Sequence, residues 1–192
     1  SDIIHEILQD LIYYQKSGGG ITLSGGEPLQ QKDFALDILQ KCREHRIHTA
    51  VETNLLTDTD TLEAFLPWVD LWMCDFKMAD DTLHRKWTGH SNVPIIKNLE
   101  FLAKQAVPLT IRTPVIPNVN DSEEAIESIC RFIRQLPNQP AYELLGFHSL
   151  GFVKYENLGM KNPLSNSAFL KKGQLQKLNE ILIRYNLNNN KK

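Results

Sequence analysis

Short apolar runs of strand length alternate with amphipathic helical stretches five times along this 192-residue chain, and no other pattern limits its fold so strongly. Parallel neighbours need a long connection back to the same end of the sheet, so regular strand–helix alternation marks parallel strands with crossover helices. The strand candidates cover 21–23, 48–53, 69–76, 108–113 and 142–147. Helical spacing covers 2–16, 32–45, 57–66, 80–87, 93–106, 121–135 and 172–186, whereas 149–171 has loop composition. Ser17-Gly18-Gly19-Gly20 stops the first helix, and the aspartates Asp58, Asp60, Asp80 and Asp81 are of the type that caps helices. The expected fold is α/β, a single domain over 1–186 with a polar, frayed tail at 187–192.

Charge and cysteine usage exclude several function classes. A net charge of −2 leaves no electrostatic footprint for nucleic acid or an anionic membrane. No apolar run reaches the roughly eighteen residues of a membrane span, and the first residues do not resemble a signal peptide, so a cytoplasmic location is expected. Cys42, Cys74 and Cys130 are far apart and odd in number, which argues against a disulfide framework or a closed cysteine metal site and for buried thiols.

In folds of this kind the loops that follow the strands gather on one rim, where ligands bind. Each strand candidate here ends in polar residues: Ser24-Gly25-Gly26-Glu27-Pro28, Glu52-Thr53-Asn54, Asp75-Phe76-Lys77, Arg112-Thr113, and the neighbourhood of His148. Gly25 and Gly26 allow close approach of backbone to a ligand. Glu27 presents a carboxylate suited to an ammonium group. Asp75 and Lys77, two apart on a strand, share a face; one can accept from a hydroxyl pair while the other answers a carboxylate. Arg112 can also pair with a carboxylate, and bidentately. A ligand with a free amine, a carboxylate and hydroxyls is implied, such as an amino acid joined to a nucleoside.

These residues carry a resemblance. Gly25-Gly26-Glu27-Pro28 after a strand resembles the Gly-Gly-Glu motif of radical S-adenosylmethionine (SAM) enzymes. Glu52-Thr53-Asn54, Asp75-Phe76-Lys77, Ile111-Arg112 with Pro117 following, and Phe147-His148-Ser149-Leu150-Gly151 resemble successive blocks of the pyruvate formate-lyase activating enzyme family, over residues 3 to 186. The resemblance implies a partial (β/α)6 TIM-like barrel and a SAM site. Gly25, Gly26 and Glu27 would hold the methionyl amine, Asp75 and Lys77 the ribose and carboxylate region with Arg112 nearby, and His148 would sit beside the adenosyl group. Glu52, Thr53, Met73 and Asp75 resemble positions that frame a monovalent cation, with glutamate at 52 where aspartate is common.

The family's Cys-x3-Cys-x2-Cys loop, which binds a [4Fe-4S] cluster, has no counterpart among these three cysteines. The expectation is a fragment numbered from after that loop, lacking the barrel's first strand and inactive alone. The intact enzyme would cleave SAM reductively to a 5′-deoxyadenosyl radical that takes a glycine hydrogen from a partner glycyl-radical enzyme. A small reducing protein such as flavodoxin or ferredoxin would supply the electron. Two alternatives stay open: a radical enzyme acting on another substrate, its difference carried by 149–171, and a cofactor-binding module without a cluster. Blander roles compete at single positions. Arg112 can brace a neighbouring carboxylate, Asp75 and Lys77 can form a structural ion pair, and His45-x2-His48 reads as a solvated pair rather than a metal site.

Overall fold

The computed structural model describes residues 2–105, 107–148, 152–162, 164 and 169–187. Five parallel strands form one open sheet in sequential order: β1 (Gly20–Leu23), β2 (His48–Thr53), β3 (Leu71–Asp75), β4 (Leu109–Val115) and β5 (Ala141–Gly146). Helices α1 (Asp2–Gln9) and α2 (Leu11–Ser17) precede β1. Between strands run α3 (Lys32–Glu44), α4 (Thr59–Phe65), α5 (Asp81–Thr88), α6 (Val93–Lys104) and α7 (Glu123–Gln135), and α8 (Phe152–Asn157) and α9 (Gln174–Arg184) follow β5.

The sequential strand order has a direct consequence. Right-handed crossovers that never reverse direction put every connecting helix on the same side of the sheet. Burial along the strands shows this side clearly. Val51, Thr53, Trp72, Cys74, Phe76, Ile111, Thr113, Val115 and Tyr142 are buried, and the core they enter also holds Leu39, Leu62, Leu99, Leu102, Ile126, Ile129, Ile133 and Leu182 from the helices. Alternate residues point to the opposite face, and there Glu52, Met73, Asp75, Thr110 and Arg112 are only partly buried while Glu143 is exposed. An all-parallel sheet is ordinarily covered on both faces. Among the described residues one face is apolar under helices and the other polar and uncovered.

Several element bounds differ from expectation. The first helix divides at Asp10, whose backbone carbonyl accepts from Tyr13 and Tyr14. Both halves lean on α3 through Ile4, Ile7, Leu8, Leu11 and Tyr14, packed against Ile38, Cys42 and Ile47. The third strand begins at Leu71 rather than 69, because Leu66–Trp68 forms a 3-10 turn. α7 begins at Glu123 rather than 121, with Ser122 as its cap accepting from the Ala125 N–H at 3.2 Å. Asp121 instead accepts from the Asn118 N–H and the Gln174 side chain. The stretch 149–171, expected to be loop, contains α8.

Candidate functional site

The C-terminal ends of β1, β2 and β3 converge as expected, whereas Arg112 and Thr113 lie within β4, which runs on to Val115. Ser24, Gly25, Gly26, Glu27, Glu52, Thr53, Asn54, Asp75 and Lys77 line one open recess on the rim. Gly25 adopts φ 120°, a conformation that side chains resist, and so turns the chain from β1 into the recess. No atom lies within 4 Å of a Cβ built on Gly25 or Gly26, so neither glycine is crowded on its side-chain side.

Glu27 is firmly held. Its Oε1 accepts from the Thr53 hydroxyl at 2.7 Å and the Leu29 N–H at 3.3 Å, and Oε2 accepts from the Asn54 N–H at 2.8 Å. This carboxylate therefore ties the loop after β1 to the loop after β2, and any ligand amine would meet a preorganised acceptor. The β2 loop is fixed from below as well. Leu55 is fully buried at φ 58°, an uncommon conformation for a bulky residue. Its N–H donates to Thr53 Oγ1 at 3.0 Å, and its carbonyl accepts from the Asn98 side chain of α6 at 3.0 Å.

Asp75 and Lys77 share the uncovered face and form an ion pair, Nζ to Oδ2 at 2.9 Å. The Lys77 carbonyl accepts from Asn120 Nδ2 at 2.9 Å, and the same amide donates to the Pro114 carbonyl at 2.9 Å. Arg112 stands beside Asp75 in the β3–β4 register and pairs with two carboxylates, Glu52 at 3.3 Å and Glu143 at 3.4 Å. Ser24 donates to the other oxygen of Glu52 at 2.9 Å. His148 lies two residues beyond β5 and is exposed.

Thr53 departs from its neighbours. Strand alternation turns its side chain to the helix-covered face, where it is buried and its hydroxyl donates to Glu27. Asn98, Asn120 and Glu143 went unnoticed in the sequence, and Ser24 and Asn54 were quoted at strand ends without a role of their own. Period-2 alternation alone puts Glu143, between buried Tyr142 and Leu144, on the face of Arg112. The two asparagines carried no such signal.

The cysteines do not fit a [4Fe-4S] cluster. Cys42, Cys74 and Cys130 are free and buried, Cys42 beneath α1 and α2 and the other two in the main core. Burial raises all three thiols above their ordinary range, Cys130 to about 12, which disfavours the thiolate that ligation needs.

Parallel βα units with a glycine turn and charged residues after the strands have the architecture of a partial TIM-like barrel, and comparison with known proteins gives its family. Residues 1–132 match the family model described as "Radical SAM superfamily". The chain belongs to that superfamily, whose members use S-adenosylmethionine and a [4Fe-4S] cluster. It is 41% identical over 172 residues to the isethionate sulfite-lyase activating enzyme of Desulfovibrio desulfuricans, covering 88% of this chain and 55% of that one. It is 40% identical to the (2S)-3-sulfopropanediol dehydratase activating enzyme of Klebsiella oxytoca, covering 86% and 53% respectively. The chain thus spans about half the length of these curated relatives. A solved domain of pyruvate-formate lyase-activating enzyme from Bacteroides vulgatus superposes with a TM-score of 0.74 at 31% identity, over 88% of this chain and 96% of that one.

Proposed function

We propose that this rim binds SAM, and that the protein it belongs to is an activating enzyme for a glycyl-radical enzyme. The backbone around Gly25 and Gly26, with Glu27, receives the methionyl amine. Lys77 answers the methionyl carboxylate, Asp75 the ribose hydroxyls, and His148 lies against the adenosyl group. In the intact protein a reduced [4Fe-4S] cluster would pass one electron to bound SAM, breaking the S–C5′ bond to release methionine and supply a 5′-deoxyadenosyl radical able to take a hydrogen atom from a partner's backbone glycine. This chain's residues bind and orient; no proton transfer by a side chain is required. The partner is a cytoplasmic glycyl-radical enzyme, and the electron comes from a small reducing protein such as flavodoxin or ferredoxin.

The observation that carries the reading is the braced recess itself. An acidic clamp (Glu27), a paired acid and base (Asp75 and Lys77) and the Gly25-Gly26 turn line one space. The names of the relatives support the activating role. Equilibrium dialysis of labelled SAM against the full gene product tests the site. Lys77→Met should weaken binding about tenfold, the loss of one charge-assisted hydrogen bond. Unchanged affinity would remove Lys77 from the site. Incubation with a co-encoded glycyl-radical enzyme should then give 5′-deoxyadenosine and a glycyl-radical EPR signal. SAM turnover with no protein radical would favour a different substrate.

A further inference from the structure

Both acidic side chains of the expected cation site already hold a cationic side chain. Glu52 is engaged at both oxygens, by Arg112 Nη1 at 3.3 Å and by the Ser24 hydroxyl at 2.9 Å. The same guanidinium reaches Glu143 through Nε at 3.4 Å. Asp75 is answered by Lys77 at 2.9 Å. The register explains this convergence. Glu52 aligns with Met73, Asp75 with Arg112, and Arg112 with Glu143, so Arg112 crosses β3 on the uncovered face to join carboxylates from β2 and β5.

With Arg112 and Lys77 in place, the set Glu52, Thr53, Met73 and Asp75 has no unpaired carboxylate to offer an alkali ion. Thr53 directs its hydroxyl to Glu27 on the other face, and Met73 offers a soft thioether, whereas hard cations take oxygen ligands. A second cation beside Glu52 would have to share the carboxylate with the Arg112 guanidinium.

We propose that Arg112 is the resident cation of this site. Its guanidinium neutralises Glu52 and ties β2, β4 and β5 together beneath the ligand. Cofactor binding in this protein is accordingly independent of potassium and sodium. The proposal rests on the reading that SAM binds at this rim.

The test measures SAM affinity of the full gene product by equilibrium dialysis in potassium, sodium and choline chloride at equal ionic strength. Affinity in the three salts should agree within about twofold, since general screening is then matched. Arg112→Gln should bind about tenfold more weakly in choline, the loss of a charge-assisted pair, and regain affinity when potassium or sodium is added. Saturable, selective enhancement of wild-type binding by either alkali ion would overturn the proposal. So would an Arg112→Gln variant that keeps wild-type affinity in choline. If that variant does not fold, the wild-type salt series decides alone. Absence of SAM binding in every salt would sink the cofactor reading instead. In that event, melting temperatures of the ligand-free protein in the same salts read the Glu52 site: a rise specific to potassium or sodium counts against Arg112, and equal values count for it.

Discussion

A Cβ built on Gly20 would overlap the His48 carbonyl, across the β1–β2 ladder. No rotamer relieves a clash with backbone, so Gly20→Ala should cost about 3 kcal/mol or detach β1, as severe overpacking does. Urea denaturation would show a lower midpoint; an unchanged midpoint would mean β1 shifts without penalty. Asp81 is a different case at the same scale. Hydrogen bonds from Ser91, Arg85 and the Asn92 N–H lower its carboxyl from 3.8 to about 2. A depressed carboxyl stabilises the fold above its unfolded pKa, and that stabilisation disappears as pH falls from near 4 through about 2. Asp81→Asn should therefore flatten the acid limb of the stability curve in this window. A mutant curve parallel to wild type would refute the linkage. Asp81 was expected to be a plain cap, but Asp80 caps α5, accepting from the Leu83 N–H at 2.7 Å. Asp81, one residue on, closes the loop that follows the helix.

At the scale of elements, the loops after the strands are held by buried amides from the helices. Asn98 on α6 is 2% exposed and donates to both the Leu55 and Thr57 carbonyls. Asn98→Ala would leave two carbonyls without these donors and should destabilise by about 2 kcal/mol. It should also speed hydrogen exchange in the 54–57 loop, which a uniform loss of stability would not do selectively. Ser122→Ala, which removes the α7 cap, should cost about 1 kcal/mol in the same denaturation assay. Strand existence and helix existence were largely readable from periodicity, as were the Asp58 and Asp80 caps. The break at Asp10 was not, because apolar spacing continues across it and the split depends on how two short pieces seat on α3. Asn98 also carried no local mark; its role depends on a carbonyl 43 positions away.

Across the whole molecule, the thiols report two packing zones. Cys74 and Cys130 lie in the main core, and Cys42 in a smaller cluster covered by α1 and α2. Neither of those helices has a buried residue, so their cover opens more easily than the core. Cys42 should react first with a thiol reagent under native conditions, and Cys74 and Cys130 later and together. A single rate for all three would show that α1 and α2 open only with global unfolding. The sequence by itself determined the strand–helix alternation, the rim of polar strand ends and the glycine turn, since these follow from local periodicity and residue chemistry. Only the tertiary structure decided which groups meet. Glu27 spans two loops, Thr53 faces away from Glu52, and Arg112 bridges Glu52 and Glu143. The physical reason is register: a side chain's partner across a sheet is set by strand pairing and the pleat, which no local stretch of sequence encodes.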